Sequence, residues 1–486
     1  MHFNPCHLRT SSHAKLLGLC MLTSLAGGAP WVANAAVTGT APELGHVYLV
    51  TNVGSERCLD IPSGSKASGA TVQQWGCHAT TAWQNMRVSA PDTSGRVQLI
   101  TTHANLCLSA NGNSTTAPLS QTVCSASASQ LWTLVSAGTR VYQLKNAASG
   151  LCMSNKAGIR NSGNPIVQEA CASNTRMQWA FALQPRAWPA TADGFASLDA
   201  LGQSGTTGGA GGTTVTVSNQ EDLVRYAGAA EPYIIKVSGT ITIVPKGLEV
   251  KVASNKSIVG VGTTGEIAEG GFFLGQGVHN VIIRNLTIRD TFVENDPNGK
   301  CCDFDAIQMD GAHHVWIDHN RLTHMNDGLI DSRKDTTNLT VSWNILSNHN
   351  KAFGIGWTDN VTAEITVHHN WLQNTNQRNP SADNVLHAHL YNNFMQNIAS
   401  YGNLSRGKTQ MVLENSYFDT VLNPFYPDTL DAQLVQRGSI VVNSTGKQAT
   451  NGTAFDPRAF YPYALDTAAD VPSLLKRYAG PQANID

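Results

Sequence analysis

The sequence predicts an all-β protein in two unlike parts: a threefold-repeated domain closed around an axis, then a right-handed parallel β-helix. Three observations carry this. Six cysteines between 58 and 171 fall into three pairs at a period near 47 residues. Short β-branched strands later recur in steps of 22 to 26 residues, each ending near an asparagine. The composition, 41% hydrophobic and only 14% charged, is that of a globular chain. Its 486 residues allow about three ordinary domains, or fewer plus a long solenoid. A net charge of −2 gives no broad basic field, so a nucleic-acid partner is not expected.

The first residues read as an export address. Arg9 and Lys15 precede the apolar run Leu16 to Ala26, which is too short to span a bilayer. Ala33-Asn34-Ala35 offers a small-x-small cleavage site, so residues 1–35 are expected to be removed near Ala35 or Ala36. Leu17-Gly18-Leu19-Cys20 is a poor lipidation site because a bulky leucine precedes the cysteine. The expected product is a secreted monomer with no membrane anchor. Cys6 and Cys20 leave with the leader, and an oxidising compartment favours disulfides among the six cysteines that follow. Six cysteines alone allow 15 connectivities.

The pairs are Cys58/Cys77, Cys107/Cys124 and Cys152/Cys171. C-L-D at 58, C-L-S at 107 and C-M-S at 152 open them. W-Q-N-M from Trp83, Q-L-W from Gln130 and M-Q-W from Met177 follow them. Such self-similarity marks a repeated unit that cannot bury its own apolar face, so three should close on one another. The pattern over residues 44–183 resembles the ricin B-type β-trefoil lectins, which also serve as carbohydrate-binding modules. The resemblance implies one disulfide inside each repeat. It also implies a sugar pocket built from an Asp after the first Cys, an aromatic before the second and a nearby Gln. Only the first repeat fits, with Asp60, Trp75 and Gln84. The second has Ser109 and the third Ser154 and Ala170, so one working pocket is expected at most. The tryptophan after each repeat reads as core.

Residues 184–192 read as a linker before a second domain over 193–486. T-G-G-A-G-G-T runs straight into V-T-V and the helix-like E-D-L-V-R-Y-A, which suggests the start of a domain and not a tether. Strands V-W-I-D-H-N, L-T-V-S-W-N, I-T-V-H-H-N, L-H-A-H-L-Y-N-N and M-V-L-E-N follow. Asn320, Asn344, Asn370, Asn392 and Asn415 are expected to turn successive corners and stack their amides from coil to coil. A leucine-rich horseshoe repeats at a similar length, but needs denser leucine and intervening helices.

Four aspartates stand out between 303 and 331. Asp303 and Asp305 are two apart, as residues sharing one face of a strand are; Asp327 and Asp331 are four apart. If neighbouring coils bring the pairs together, only a cation relieves their repulsion. An all-oxygen donor set favours Ca²⁺. The pairs His313-His314 and His368-His369 are assigned no metal, because alternation along a strand separates adjacent side chains. Adjacent Cys301 and Cys302 are either a vicinal disulfide or two thiols.

From Gly194 onward the set D-A-I, V-W-I-D-H-N, D-G-L-I-D, I-T-V-H-H-N and R-x-P resembles polysaccharide lyase family 1, the pectate lyases. The resemblance implies a parallel β-helix with a substrate groove along its side. It implies Asp305, Asp327 and Asp331 as calcium ligands, with Asp303 holding further substrate-bridging calcium. Lys351 and Arg333 are implied as substrate ligands, and Arg378 as the catalytic base. Trp316, Asp318 and His319 read as coil buttresses.

The implied reaction removes the C5 proton of a galacturonate unit in polygalacturonate and breaks the C4–O bond by β-elimination. Arginine, with a pKa above about 12, is protonated at neutral pH and accepts a proton poorly unless calcium and basic neighbours depress that value, so an alkaline optimum is expected. The family commonly carries a second substrate-binding Arg five residues after the catalytic one, where this chain has Asp383. Arg406 or Lys408 then becomes the candidate clamp, and Asp383→Arg is expected to raise affinity for polygalacturonate. Rival readings are a pectin lyase for methylated chains, a β-helical hydrolase, and a catalytically inactive carbohydrate-binding protein. The trefoil would tie the enzyme to cell-wall polysaccharide.

Overall fold

In the computed structural model the described residues are Pro42 and 46–485, except 79, 80, 90, 185–187 and 297. The expected leader, with Cys6, Arg9, Lys15 and Cys20, lies outside them. Among the described residues no helix is long and apolar enough to cross a membrane.

The first half is an antiparallel β-trefoil. Its first strand, Val47–Asn52, pairs with its last, Trp179–Leu183, which closes the threefold unit. Disulfides join Cys58–Cys77, Cys107–Cys124 and Cys152–Cys171, one within each repeat. The residue after each first cysteine, Leu59, Leu108 or Met153, is fully buried in one core.

The expectation of a core tryptophan in every repeat holds for Trp132 and Trp179 but not for the first repeat. There Met86 takes the core position, and Trp83 turns outward, 38% exposed. Gln84 matches Gln130 instead: each buried amide accepts a backbone N–H (from His78 and Ser125) and donates to a backbone carbonyl (of Gly76 and Val123).

The segment after the trefoil is not a bare tether. Trp188 packs edge-on against His319 and Trp343, with ring centroids 4.1 and 5.1 Å away. The glycine run is packed too: a Cβ on Gly209 would lie 1.9 Å from the Tyr233 carbonyl oxygen, and one on Gly212 2.1 Å from that of Pro232. Helix Gln220–Ala227 follows, capped by the Asn219 side chain accepting from Asp222 N, and buries Leu223 and Ala227 over the first coil.

The second half is a parallel β-solenoid. Ten strands, from Thr213–Val217 to Gln433–Arg437, form one fully parallel sheet. Two further parallel stacks complete each coil, and the long strand Ile345–Gly356 runs through both. Alternation turns every second side chain inward. Ile258, Ile283, Ile317, Val341, Val367, Leu390 and Leu413 therefore stack in register as one aliphatic column. Each such residue contributes about 1.5–3 kcal/mol by burial.

The asparagine ladder is real, but its register differs from expectation. Backbone N–H groups of Asn320, Asn344 and Asn370 donate to the side-chain oxygens of Asn344, Asn370 and Asn393, at 2.8–3.0 Å. Asn393 continues to Ser416, so Asn392 and Asn415 are not rungs. They belong to the neighbouring column with His319, Trp343 and His369, where every residue has a positive φ and makes the bend. That bend also defeats strand alternation at the histidine pairs. His314 and His369 have φ of 54° and 53°, so each Nδ1 meets that of its neighbour at 2.8 Å instead of facing away.

Trp316 and Asp318 lie on the ten-stranded sheet and His319 at the bend that follows it, not on the face that carries the acids. Asp318 is buried and held by Arg284, His319 and Ser342, a structural knot.

Candidate active site

The acids gather where the third stack of strands begins its coils. Strand Gly328–Arg333 lies between strand Ile307–Asp310 and the segment Lys351 to Gly356 and pairs with both. Ile307, Ile330 and Phe353 point inward, so Gln308, Asp331 and Gly354 point outward in one row. Asp310, Arg333 and Gly356 form the next outward row.

Asp303 and Asp305 do not share a strand face, contrary to expectation. They lie in the loop before Ile307, where Asp305 is fully buried and Asp303 is exposed. The loop still brings one carboxylate oxygen each from Asp303, Asp305 and Asp327 within 4.8 Å of one another. Asp331 joins them: a Cβ on Gly328 would lie 2.8 Å from Asp331 Oδ1 and 2.9 Å from Asp305 Oδ1. Gly328 and Gly354 are therefore required for space, since the latter's Cβ would also meet Asp331 Oδ1 at 2.9 Å.

Burial first, and then the charges of Asp331 and Asp327, push the Asp305 carboxyl well above the ordinary carboxylate range. Burial, with the charge of Asp327 beside it, pushes Asp331 up to about 7 against the opposing pull of Arg378. Asp327 is raised by burial although Lys351 contacts it. Glu249, absent from the sequence reading, accepts from Asp305 N at 3.1 Å and is pushed by burial to about 8. It lies 56 residues before Asp305, and only coil stacking brings it near.

Arg378 follows strand Trp371–Gln377 at a corner, with φ 59°. Its carbonyl accepts from Phe353 N at 2.6 Å, and Asn379 ties the next residue to Tyr401 O at 2.8 Å. Arg378 Nη1 stands 3.5 Å from Asp331 Oδ1, an ion-pair distance, and both atoms are buried without a hydrogen-bond partner. Trp357 covers the guanidinium, its ring centroid 5.0 Å from Cζ. No spacing in the sequence marks Trp357.

Lys351 contacts Asp327 directly. Arg333 is already engaged, bonding Asp310 at 2.8 Å and Asp303 at 2.9 Å. Cys301 and Cys302 are two thiols, not a disulfide.

Without a cation this cluster is a stored repulsion. A carboxylate whose folded pKa is raised stabilises the fold fully below its ordinary value and loses that contribution as pH rises through the raised one. In chelator, the melting temperature is therefore expected to fall between about pH 5 and pH 8, the span set by the raised carboxyls. Added calcium should cancel much of that fall. Thermal melts with and without calcium across that range check it, and identical profiles would remove the cluster's role.

In the trefoil, Asp60, Trp75 and Gln84 line one cavity of about 450 Å³. Gln84 is buried and donates to Asp60 Oδ1 at 3.0 Å, while Gln73 donates to Oδ2 at 2.7 Å. Gln84 thus orients the carboxylate from beneath. Trp75, 45% exposed, and Trp83 supply the apolar surface.

A parallel solenoid with a buried carboxylate cluster beside an arginine is the arrangement expected of a polysaccharide lyase, and comparison with known proteins identifies the family. Residues 180–484 match the pectate lyase family model, and residues 46–185 match the ricin-type β-trefoil lectin domain. A pectate trisaccharide-lyase of Bacillus licheniformis is 35% identical over 306 residues, 59% of this chain and 85% of its own length. One from Thermotoga maritima is 40% identical over 209 residues, 41% of this chain and 56% of its own. The crystal structure of pectate lyase Bsp165PelA from Bacillus sp. N165 in complex with trigalacturonate is similar, at 29% identity and a TM-score of 0.52. It covers 60% of this chain and 99% of that one. The chain belongs to the pectate lyase family, with a ricin-type lectin domain ahead of the lyase domain.

Proposed function

We propose that the protein is a secreted, monomeric, Ca²⁺-dependent pectate lyase that cleaves polygalacturonate by β-elimination and is targeted to plant cell wall by its trefoil. The observation that carries this is the meeting of four carboxylates with Arg378, the two sides linked by the 3.5 Å Arg378–Asp331 approach. The donor set fits a hard cation. Asp305 and Asp331 are buried carboxyls whose ionisation is opposed by burial and by neighbouring acids, as a cation between them would relieve, and Asp331 Oδ1 is a buried oxygen with no hydrogen-bond partner. Asp305, Asp327 and Asp331 would hold calcium, with Asp303 at the exposed edge. When bound, calcium would draw charge from the substrate carboxylate and so acidify the neighbouring C–H.

The chain's own residues do the rest. Arg378 takes the C5 proton, and its place over the cluster fixes which carbon it faces. Lys351 and Arg333 give positive charge to uronate carboxylates, once freed from Asp327 and Asp303. The four acids disfavour a pectin lyase, which needs no cation. The reaction consumes no water. Cleavage in ¹⁸O-water should leave the products unlabelled and unsaturated; labelled, saturated ends would mean hydrolysis and sink the reading.

Three disulfides support export, and the intact mass of protein from culture medium checks removal of residues 1–35. The trefoil pocket supports targeting by raising local enzyme concentration. Trp75→Ala and Trp83→Ala should each weaken binding to insoluble cell wall by up to about tenfold, with kcat on soluble substrate unchanged. Pull-down on cell wall measures this, and undiminished binding by both variants would exclude the pocket.

A further inference from the structure

Beside Arg378 lies a second cavity of about 260 Å³, lined by Trp357, Arg378, Asp383, Tyr401 and Arg406 among others. At the small end of ligand sites, it has room for one sugar unit and not a chain. Beside the guanidiniums of Arg378 and Arg406 it presents one carboxylate, Asp383, which is unexpected in a site that meets polyanions. Asp383 ends strand Ser381–Asp383 and stands in register with Arg406 on the following coil. Arg406 does not turn back to it; its Nε pairs with Asp428 Oδ2 at 3.3 Å, on the far side. On the preceding coil, where a base could stand, the chain has Gly356.

Among the described residues no ion pair or hydrogen bond holds the Asp383 carboxylate. The surroundings are shaped to keep it in place. A Cβ on Gly356 would lie 2.9 Å from Asp383 Cβ, and one on Gly407 2.5 Å from its Oδ1. Gly356 has φ 132° and Gly407 φ 56°, backbone that other residues rarely adopt. Trp357, 49% exposed, and Tyr401 add two rings suited to stacking on sugar C–H faces.

We propose that Asp383 is a specificity residue: it makes the sugar position beyond Arg378 select an uncharged unit, such as a methyl-esterified galacturonate, over a free uronate. A free carboxylate entering this pocket meets an unpaired acid, and Arg406's charge is already countered by Asp428. A methyl ester removes that repulsion, adds apolar surface against the rings, and leaves an ester carbonyl as acceptor. The unit over the acid cluster must still be a free acid. The preferred substrate is therefore a partly esterified chain, with an esterified unit beside the cleaved one.

This rests on the lyase reading, and the test separates the two. Unsaturated-product formation is measured for the full protein with calcium on polygalacturonate and on low-ester pectin, for wild type and for Asp383→Asn, which keeps shape and removes charge. Wild type should favour low-ester pectin in kcat/KM by about tenfold, and Asp383→Asn should shift that ratio toward polygalacturonate by a similar factor. As a second measurement, wild type should bind a trigalacturonate carrying a single methyl ester, its other carboxylates free, more tightly than trigalacturonate in calorimetry. A ratio unchanged by Asp383→Asn, or equal binding of the two trimers, overturns the proposal while leaving the lyase intact. Absence of unsaturated product from both substrates overturns the lyase reading and this inference with it.

Discussion

Replacing Arg378 by alanine is expected to lower kcat on polygalacturonate by about 10³-fold, within the range for loss of a positioned proton acceptor. The expectation follows from geometry. Arg378 is the basic side chain whose Nη1 is buried beside Asp331 without a hydrogen bond, while Lys351 and Arg333 are engaged by Asp327, Asp303 and Asp310. Removing it should leave calcium affinity within a few fold of wild type, because Arg378 is no ligand. The residual rate should also lose the alkaline rise expected of wild type. Arg378→Lys tests position against charge: a lysine keeps the charge but not the fork that reaches past Trp357. A variant with wild-type kcat and pH profile would show that the proton is taken elsewhere.

The second large effect belongs to Asp305. Asp305→Asn should lower calcium affinity by at least about 10²-fold. In chelator, at a pH high enough to ionise that carboxyl, the same change should raise the melting temperature, because it deletes a buried charge repelled by Asp331, Asp327 and Glu249. Few structural changes weaken ligand binding and strengthen the metal-free fold together. Calorimetric titration and thermal melts read both, and a variant less stable in chelator with unchanged calcium affinity would break the account. Asp303→Asn should have the smaller effect, since that carboxylate is exposed and already paired with Arg333.

The sequence carried the parts of the structure that repeat. Cysteine pairs at one period, and strands at another, signalled the trefoil and the solenoid because each unit buries the same positions. What does not repeat was hidden. The ladder register was off by one at Asn392 and Asn415, because the bend and the amide rung are adjacent columns and both tolerate asparagine. Asp303 and Asp305 suggested a strand by their spacing, but a loop delivers them.

Four acids and Arg378 were legible as a set through motif and resemblance. Glu249 was not, since a contact made by stacking coils leaves no local pattern. Trp83 and Trp357 were missed for a related reason: an aromatic's role depends on which way its backbone turns it. In the first repeat Met86 fills the core and frees Trp83, and at φ 56° Trp357 folds over Gly354 onto Arg378.

The central claim is that carboxylates from neighbouring coils hold a divalent ion which, with Arg378 beside it, makes a uronate C–H removable. The most direct measurement is the rate of unsaturated-product absorbance from polygalacturonate as free calcium is varied from excess chelator upward. The account predicts no product in chelator and a saturable rise with calcium, lost in Arg378→Ala. Equal rates with and without chelator would contradict it.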